Sequence, residues 1–207
     1  MDSTKLFLAL LALVNPLGAV PIFISLTQDM AREERRKTVL TAAATVALVI
    51  ILSGLLGQRI IDFFGISIGS LQVGGGLVIL LTALSMLNAK EAGARTTPEE
   101  TSEAETKASI AVVPLAIPFL TGPGSISTVI VYASRIKGWT QYLGLLITGV
   151  AMAVLVVIAL SMADRIARLL GRTGINIASR LMGMILAALA VEIIVDGLQR
   201  LLPVLGR

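Results

Sequence analysis

Charge is absent from five long stretches of the chain: residues 6–28, 38–58, 63–89, 108–134 and 138–163, each between 21 and 27 residues. A sixth apolar stretch, 177–202, is interrupted by Arg180, Glu192, Asp196 and Arg200. A helix that crosses a bilayer needs about 20 mostly apolar residues, so the pattern predicts six transmembrane helices. One soluble core in a 207-residue chain could not hide so many uncharged segments. The expected fold class is an all-α polytopic membrane protein.

Two of the stretches carry helix breakers at their centres. The middle of 6–28 is Leu17, within Asn15-Pro16-Leu17-Gly18, and the middle of 108–134 is Thr121, which opens Thr121-Gly122-Pro123-Gly124-Ser125. Proline lacks an N–H and clashes with the preceding turn, and glycine permits the backbone values that a break needs. Spans 1 and 4 are therefore expected to be discontinuous at mid-membrane. Unpaired backbone groups are costly in hydrocarbon, so such a break persists only where protein or water surrounds it. Pro21, Pro114 and Pro118 add kinks nearby.

The third and sixth spans match at an offset of 109 residues: Gly65/Gly174, Ile66/Ile175, Ile68/Ile177, Ser70/Ser179, Gly74/Gly183 and Leu77/Leu186 are identical. The Asn15 and Gly122 motifs correspond at an offset of 107. The chain thus reads as two three-helix repeats, 1–87 and 109–207, joined by an acidic linker, 88–108. Because three is odd, the second repeat would enter the membrane inverted. Inverted repeats with paired broken helices are typical of secondary transporters, with the solute at mid-depth between the halves.

Basic residues set the expected orientation. Eleven lie at 28–38, 88–108 and 164–180, and six on the other side, so these three segments are expected as cytoplasmic loops with both termini outside. No small-residue cleavage site follows the first apolar run, which is read as a retained span. Composition excludes much else. There is no histidine or cysteine, hence no usual zinc site, thiol chemistry or Ser–His nucleophile. There is no P-loop motif. The net charge of +4 resides beside apolar spans with eight aromatics in all, so nucleic acid is not an expected partner. No enzyme activity, metal or cofactor is expected.

If the chain restarts as half-helices after each break, their N-termini present N–H groups and a positive dipole end. These suit a carboxylate, and the carbonyl ends of the preceding half-helices suit an ammonium group. No charged residue lies in either break, so a small zwitterion fits better than a net-charged solute. The candidate substrate-binding residues are Asn15, Pro16, Leu17, Gly18, Thr121, Gly122, Pro123, Gly124 and Ser125. Gly74, Gly75 and Gly76 serve either helix packing or the pocket, and Ser127 and Thr128 bond either backbone or solute. In the sixth span Glu192 and Asp196 share a face with Arg200. They are either coupling groups, with a proton or Na+ as the coupling ion, or structural partners between helices.

The motifs Asn15-Pro16-Leu17-Gly18-Ala19-Val20-Pro21-Ile22-Phe23, Phe64-Gly65-Ile66-Ser67-Ile68, Gly74-Gly75-Gly76-Leu77, Val113-Pro114-Leu115-Ala116-Ile117-Pro118, Thr121-Gly122-Pro123-Gly124-Ser125-Ile126 and Ser179-Arg180-Leu181-Met182-Gly183 resemble the MarC/SnatA family. The resemblance covers nearly the whole chain except 90–107. It implies a six-span inner-membrane protein and a transporter, often an exporter, of glycine, alanine, serine or threonine. The family's paired motifs carry over onto Asn15, Pro16, Gly18, Gly122, Pro123 and Gly124. The alternative is a channel for a small neutral solute. The expected partners are the bilayer and the amino acid, and the sequence leaves the oligomeric state open.

Overall fold

The computed structural model describes residues 3–88, 115–116, 120–136 and 138–202. Regular structure among them is helical: α1 (Ser3–Val14), α2 (Val20–Thr27), α3 (Arg32–Phe64), α4 (Ile68–Leu87), α5 (Pro123–Ala133), α6 (Trp139–Ser161) and α7 (Ala163–Leu201). Among the described residues four segments are long and apolar enough to cross a membrane: Arg32–Phe64, Ile68–Leu87, Trp139–Ser161 and Thr173–Leu201. In the first apolar stretch the chain instead forms two short helices, α1 and α2, and in the fourth, among the described residues, 115, 116 and 120 are π-helical and α5 begins at Pro123. The linker expected at 88–108 lies outside the described residues beyond Asn88.

Two segments expected as loops are mostly helical, the chain turning only at 28–31 and at Gly171. At a rise of about 1.5 Å per residue, α3 is roughly 50 Å long, against a hydrocarbon core of about 30 Å. Its surplus carries Arg32, Arg35, Arg36 and Lys37, placed by the sequence reading in a loop at 28–38. Ala31 N–H donates to Glu34 Oε2 at 3.1 Å, and Glu33 and Glu34 favour the positive end of the helix. Likewise 164–180 lies within α7. Charges mark where a helix leaves the hydrocarbon, and Arg, Lys and Glu are good helix formers, so the helices run on through them. The direction changes at Gly171 (φ 58°, ψ −177°), a conformation open to glycine.

The turn between α3 and α4 is locally encoded. Gly65 adopts φ 64° and donates its N–H to Asp62, while Ser67 Oγ accepts the Ser70 N–H at 3.0 Å and caps α4.

The short helices are buried and the long ones surround them. Leu10, Val14, Val20 and Phe23 pack into one apolar cluster with residues of α3 and α6, including Ile50 and Met152. Ala12 and Leu13 join Ile79 and Ala83 of α4 and Leu186 and Ala190 of α7 in a second cluster. The long helices turn large apolar side chains outward, among them Leu48, Leu81, Ile147 and Leu181. In a membrane protein that outer surface meets lipid tails.

α4 and α7 cross with their backbones nearly touching. A Cβ on Gly197 would lie 2.8 Å from Gly69 O, and one on Gly76 would lie 3.2 Å from Ala190 O. Small residues permit such approach between membrane helices.

Candidate functional site: two helix interruptions

α1 ends because Asn15 takes φ 42°, the one non-glycine positive φ among the described residues. Asparagine tolerates this region better than most side chains, and the proline after it disfavours a helical Asn15. Asn15 then closes the turn. Its N–H donates to Leu11 O, its carbonyl accepts from Ala19 N–H, and its Oδ1 accepts the Gly18 N–H at 3.3 Å. Val20 N–H donates to Leu17 O, and Pro21, near the start of α2, has no N–H to satisfy. Gly18 is required by close approach: a Cβ there would collide with the Asn15 carboxamide and lie 3.3 Å from Ser179 Oγ of α7.

The second interruption has different chemistry. Thr121 donates both its N–H and its Oγ1–H to Ala116 O, each at 2.8 Å, which closes a π-type turn. Gly122 is extended at the N-terminus of α5, Pro123 follows at a position that needs no N–H, and Gly122 O accepts from Ser125 and Ile126. Thr128 Oγ1 donates to Gly124 O at 2.8 Å. In this conformation most N–H groups at both breaks are engaged within the breaks themselves.

The two interruptions abut. A Cβ on Gly124 would lie 3.3 Å from Leu13 Cδ2, two residues before Asn15, and 3.1 Å from Ile79 Cγ1. Asn15, Thr121, Ser125 and Thr128 are buried, as are Pro16 and Gly124. Gly122 is half-buried, whereas Leu17 and Pro123 are exposed. The three consecutive glycines separate by function. Gly75 packs against Ser127 of α5 and Gly76 against Ile194 of α7, but Gly74 is exposed and a Cβ there would meet nothing within 4 Å. Open space therefore lies beside Gly74.

Glu192 and Asp196 of α7 each lie near a basic residue outside the breaks. Glu192 lies 4.0 Å from Lys5 of α1, with its side chain 63% exposed. Asp196 Oδ2 accepts from Arg135 Nη2 at 3.0 Å. The Arg135–Asp196 pair ties α7 to the chain just beyond α5.

Sequence reasoning missed three features. Ser179 was visible only as the repeat partner of Ser70. Gln72, fully buried on α4, stood out as the single amide side chain within 63–87. Arg35 makes a bidentate pair with Asp164, at 2.8 and 2.9 Å, and its guanidinium lies 5.0 Å from the centre of the Phe23 ring of α2. The Arg35 hydrogen bond holds the Asp164 carboxyl below its usual range. The charges of Arg35 and Arg168 add to this, against an opposing desolvation.

A family model described as MarC family integral membrane protein matches residues 2–202. UPF0056 membrane protein YhcE of Escherichia coli (strain K12) is 39% identical, over 96% of this chain and 93% of its own. UPF0056 membrane protein YvbG of Bacillus subtilis (strain 168) is 38% identical, over 96% and 95%. A UPF0056 membrane protein of Buchnera aphidicola subsp. Schizaphis graminum is 36% identical, over 97% and 93%. No solved structure matches the chain.

Proposed function

Because the chain belongs to the MarC family of integral membrane proteins, we propose that it is a secondary transporter of small neutral amino acids such as glycine, alanine, serine or threonine. It works as an exporter or exchanger in the inner membrane, by alternating access, with the zwitterion held between the ends of the broken helices. One observation carries the reading: two interruptions of different design abut, with Asn15, Pro16, Thr121, Gly124 and Ser125 buried, and neither contains a charged side chain.

The packing supports an inverted repeat. α4 packs on α7, α3 on α6 and α1 on α5, and the contacts of α1 with α6 and α7 answer those of α5 with α3 and α4. Two three-helix units related by a pseudo-two-fold axis would make such paired contacts, and an axis in the membrane plane is the arrangement common in secondary transporters. Asn15 and Ser125 supply polar side chains beside the breaks, and opening of either turn frees the N–H groups it now engages. An N–H row of that kind binds a carboxylate without a basic residue.

The test is counterflow in proteoliposomes. Labelled glycine or alanine entering vesicles loaded with the unlabelled amino acid, with no comparable entry of lysine or glutamate, is the expected result. Flux without acceleration by internal substrate would identify a channel instead and overturn alternating access.

A further inference from the structure

Between α6 and the spanning part of α7 lies a short helical segment, 163–170, that belongs to neither span. It starts where α6 stops, at Met162, and ends at the Gly171 turn. One side of it is packed: Ala163 is buried, and Ile166 and Ala167 lie against the larger apolar cluster. Arg165, Arg168 and Leu169 are exposed, and helical spacing makes Arg165 a neighbour of both others. Leu169 is 84% exposed, more than any other aliphatic side chain among the described residues. On a spanning helix such a side chain meets lipid tails, but Leu169 lies outside all six apolar stretches.

The acid of this segment is already engaged. Asp164 accepts from both Nη groups of Arg35, at 2.8 and 2.9 Å, which ties the segment to the first turns of α3. Arg168 Nε donates to Asp164 O at 3.2 Å. Arg165 forms no ion pair among the described residues. The opposite end of the molecule is different. There Phe63 and Phe64 close α3, Trp139 and Tyr142 open α6, and all four are exposed. Trp and Tyr rings settle at the headgroup level of a bilayer. The end that bears Arg165 shows no exposed aromatic among the described residues; it offers cations around an aliphatic side chain instead.

A guanidinium pairs its N–H groups with phosphate oxygens. A helical segment with basic and apolar residues lies in the interface and is drawn to anionic lipid. We propose that 163–170 is a binding site for an anionic phospholipid. Arg165 and Arg168 hold the phosphodiester, and Leu169 enters the boundary with the acyl chains. The proposal goes beyond the transport reading: it requires lipid binding, not flux.

The test uses the full chain purified in neutral detergent and titrated with dioleoylphosphatidylglycerol or dioleoylphosphatidylcholine, with bound lipid counted by native mass spectrometry. The wild type prefers phosphatidylglycerol by about tenfold or more, and Arg165→Gln lowers that preference by about fivefold, the share of one cation near an anionic surface. Arg165→Gln together with Arg168→Gln abolishes it. Leu169→Ser weakens both lipids alike and leaves the preference in place. Arg59→Gln, at the opposite end of α3, changes neither. Arg168 also bonds the helix backbone, so if the double variant does not fold, Arg165→Gln alone decides.

Equal affinity of the wild type for the two lipids would overturn the site. So would a preference that survives Arg165→Gln, or one that falls as much in Arg59→Gln. Displacement of phosphatidylglycerol by inorganic phosphate, with Leu169→Ser indistinguishable from the wild type, would mark a site for a soluble anion and would also overturn it. Failure of the transport reading is a different result: no counterflow, with the lipid preference and its loss in Arg165→Gln preserved.

Discussion

The two interruptions occupy matching places in the chain but differ in construction. The first places its conformational cost on one residue, Asn15, held at φ 42° and secured by its own side chain to Gly18. The second uses residues that take their observed angles without strain: an extended Gly122, then Pro123 at the helix start, after a turn closed by Thr121. A left-handed conformation costs an ordinary L-residue roughly 1–2 kcal/mol, and asparagine less. The lesson is that one break depends on a specific side chain, whereas the other depends mainly on backbone chemistry.

The largest expected effect comes from filling the first break. Gly18→Leu drives a side chain into the Asn15 carboxamide and toward Ser179. It should abolish glycine counterflow and cost about 1–3 kcal/mol in thermal unfolding. Gly124→Ala, which asks Ile79 and Leu13 to yield by only a few tenths of an ångström, should retain part of the flux. Counterflow that survives Gly18→Leu would remove the first break from the solute path.

A smaller effect separates backbone from side chain at the same turn. Asn15→Gly keeps the positive φ and loses only the bond to Gly18, for about 1 kcal/mol. Asn15→Ala loses the bond and must also bear the backbone strain, so it should be worse by about another 1 kcal/mol. Thr121→Val at the second break should resemble Asn15→Gly, because it deletes one hydroxyl bond and no conformational tolerance. Equal unfolding midpoints for Asn15→Ala and Asn15→Gly would show that the left-handed turn is not what holds the first break.

The smallest effect concerns the far ends of the two half-helices. Arg35, beyond α2, lies over the Phe23 ring of α2 and pairs with Asp164; beyond α5, Arg135 is held by Asp196. The Asp164 carboxyl is lowered from its ordinary 3.8, chiefly by the Arg35 hydrogen bond. Its contribution is therefore fully present above the unfolded-state value and is lost as pH falls through the lower folded-state value. Because the pair is exposed, the contribution is at most about 1 kcal/mol. Asp164→Asn should lower the unfolding midpoint slightly at neutral pH and make the two proteins converge in acid. A difference that widens toward low pH would contradict this assignment.

Much of the fold was legible because the signals were local. Charge-free length announced the apolar helices, and Asn15-Pro16 and Gly122-Pro123 announced the breaks within a few residues of where α2 and α5 begin. The loops at 28–38 and 164–180 were drawn too long because charge reports contact with water, not the end of a helix: the chain turns only at 28–31 and at Gly171. Gln72 could have been noticed as an amide in an apolar run. Ser179 beside Gly18, and Arg35 over Phe23, are contacts between distant segments with no sequence spacing to announce them.

The sequence alone determined that this chain is helical and membrane-embedded, and that two of its apolar stretches are interrupted. Each of those facts depends on what a residue does to its own backbone or to the solvent around it. Tertiary structure decided that the interruptions abut, that Gly75 and Gly76 pack while Gly74 stands open, and that Asp196 takes Arg135 as its partner. Helix faces and crossings are set by the fit of side chains from remote segments, which only the assembled bundle brings within reach of one another.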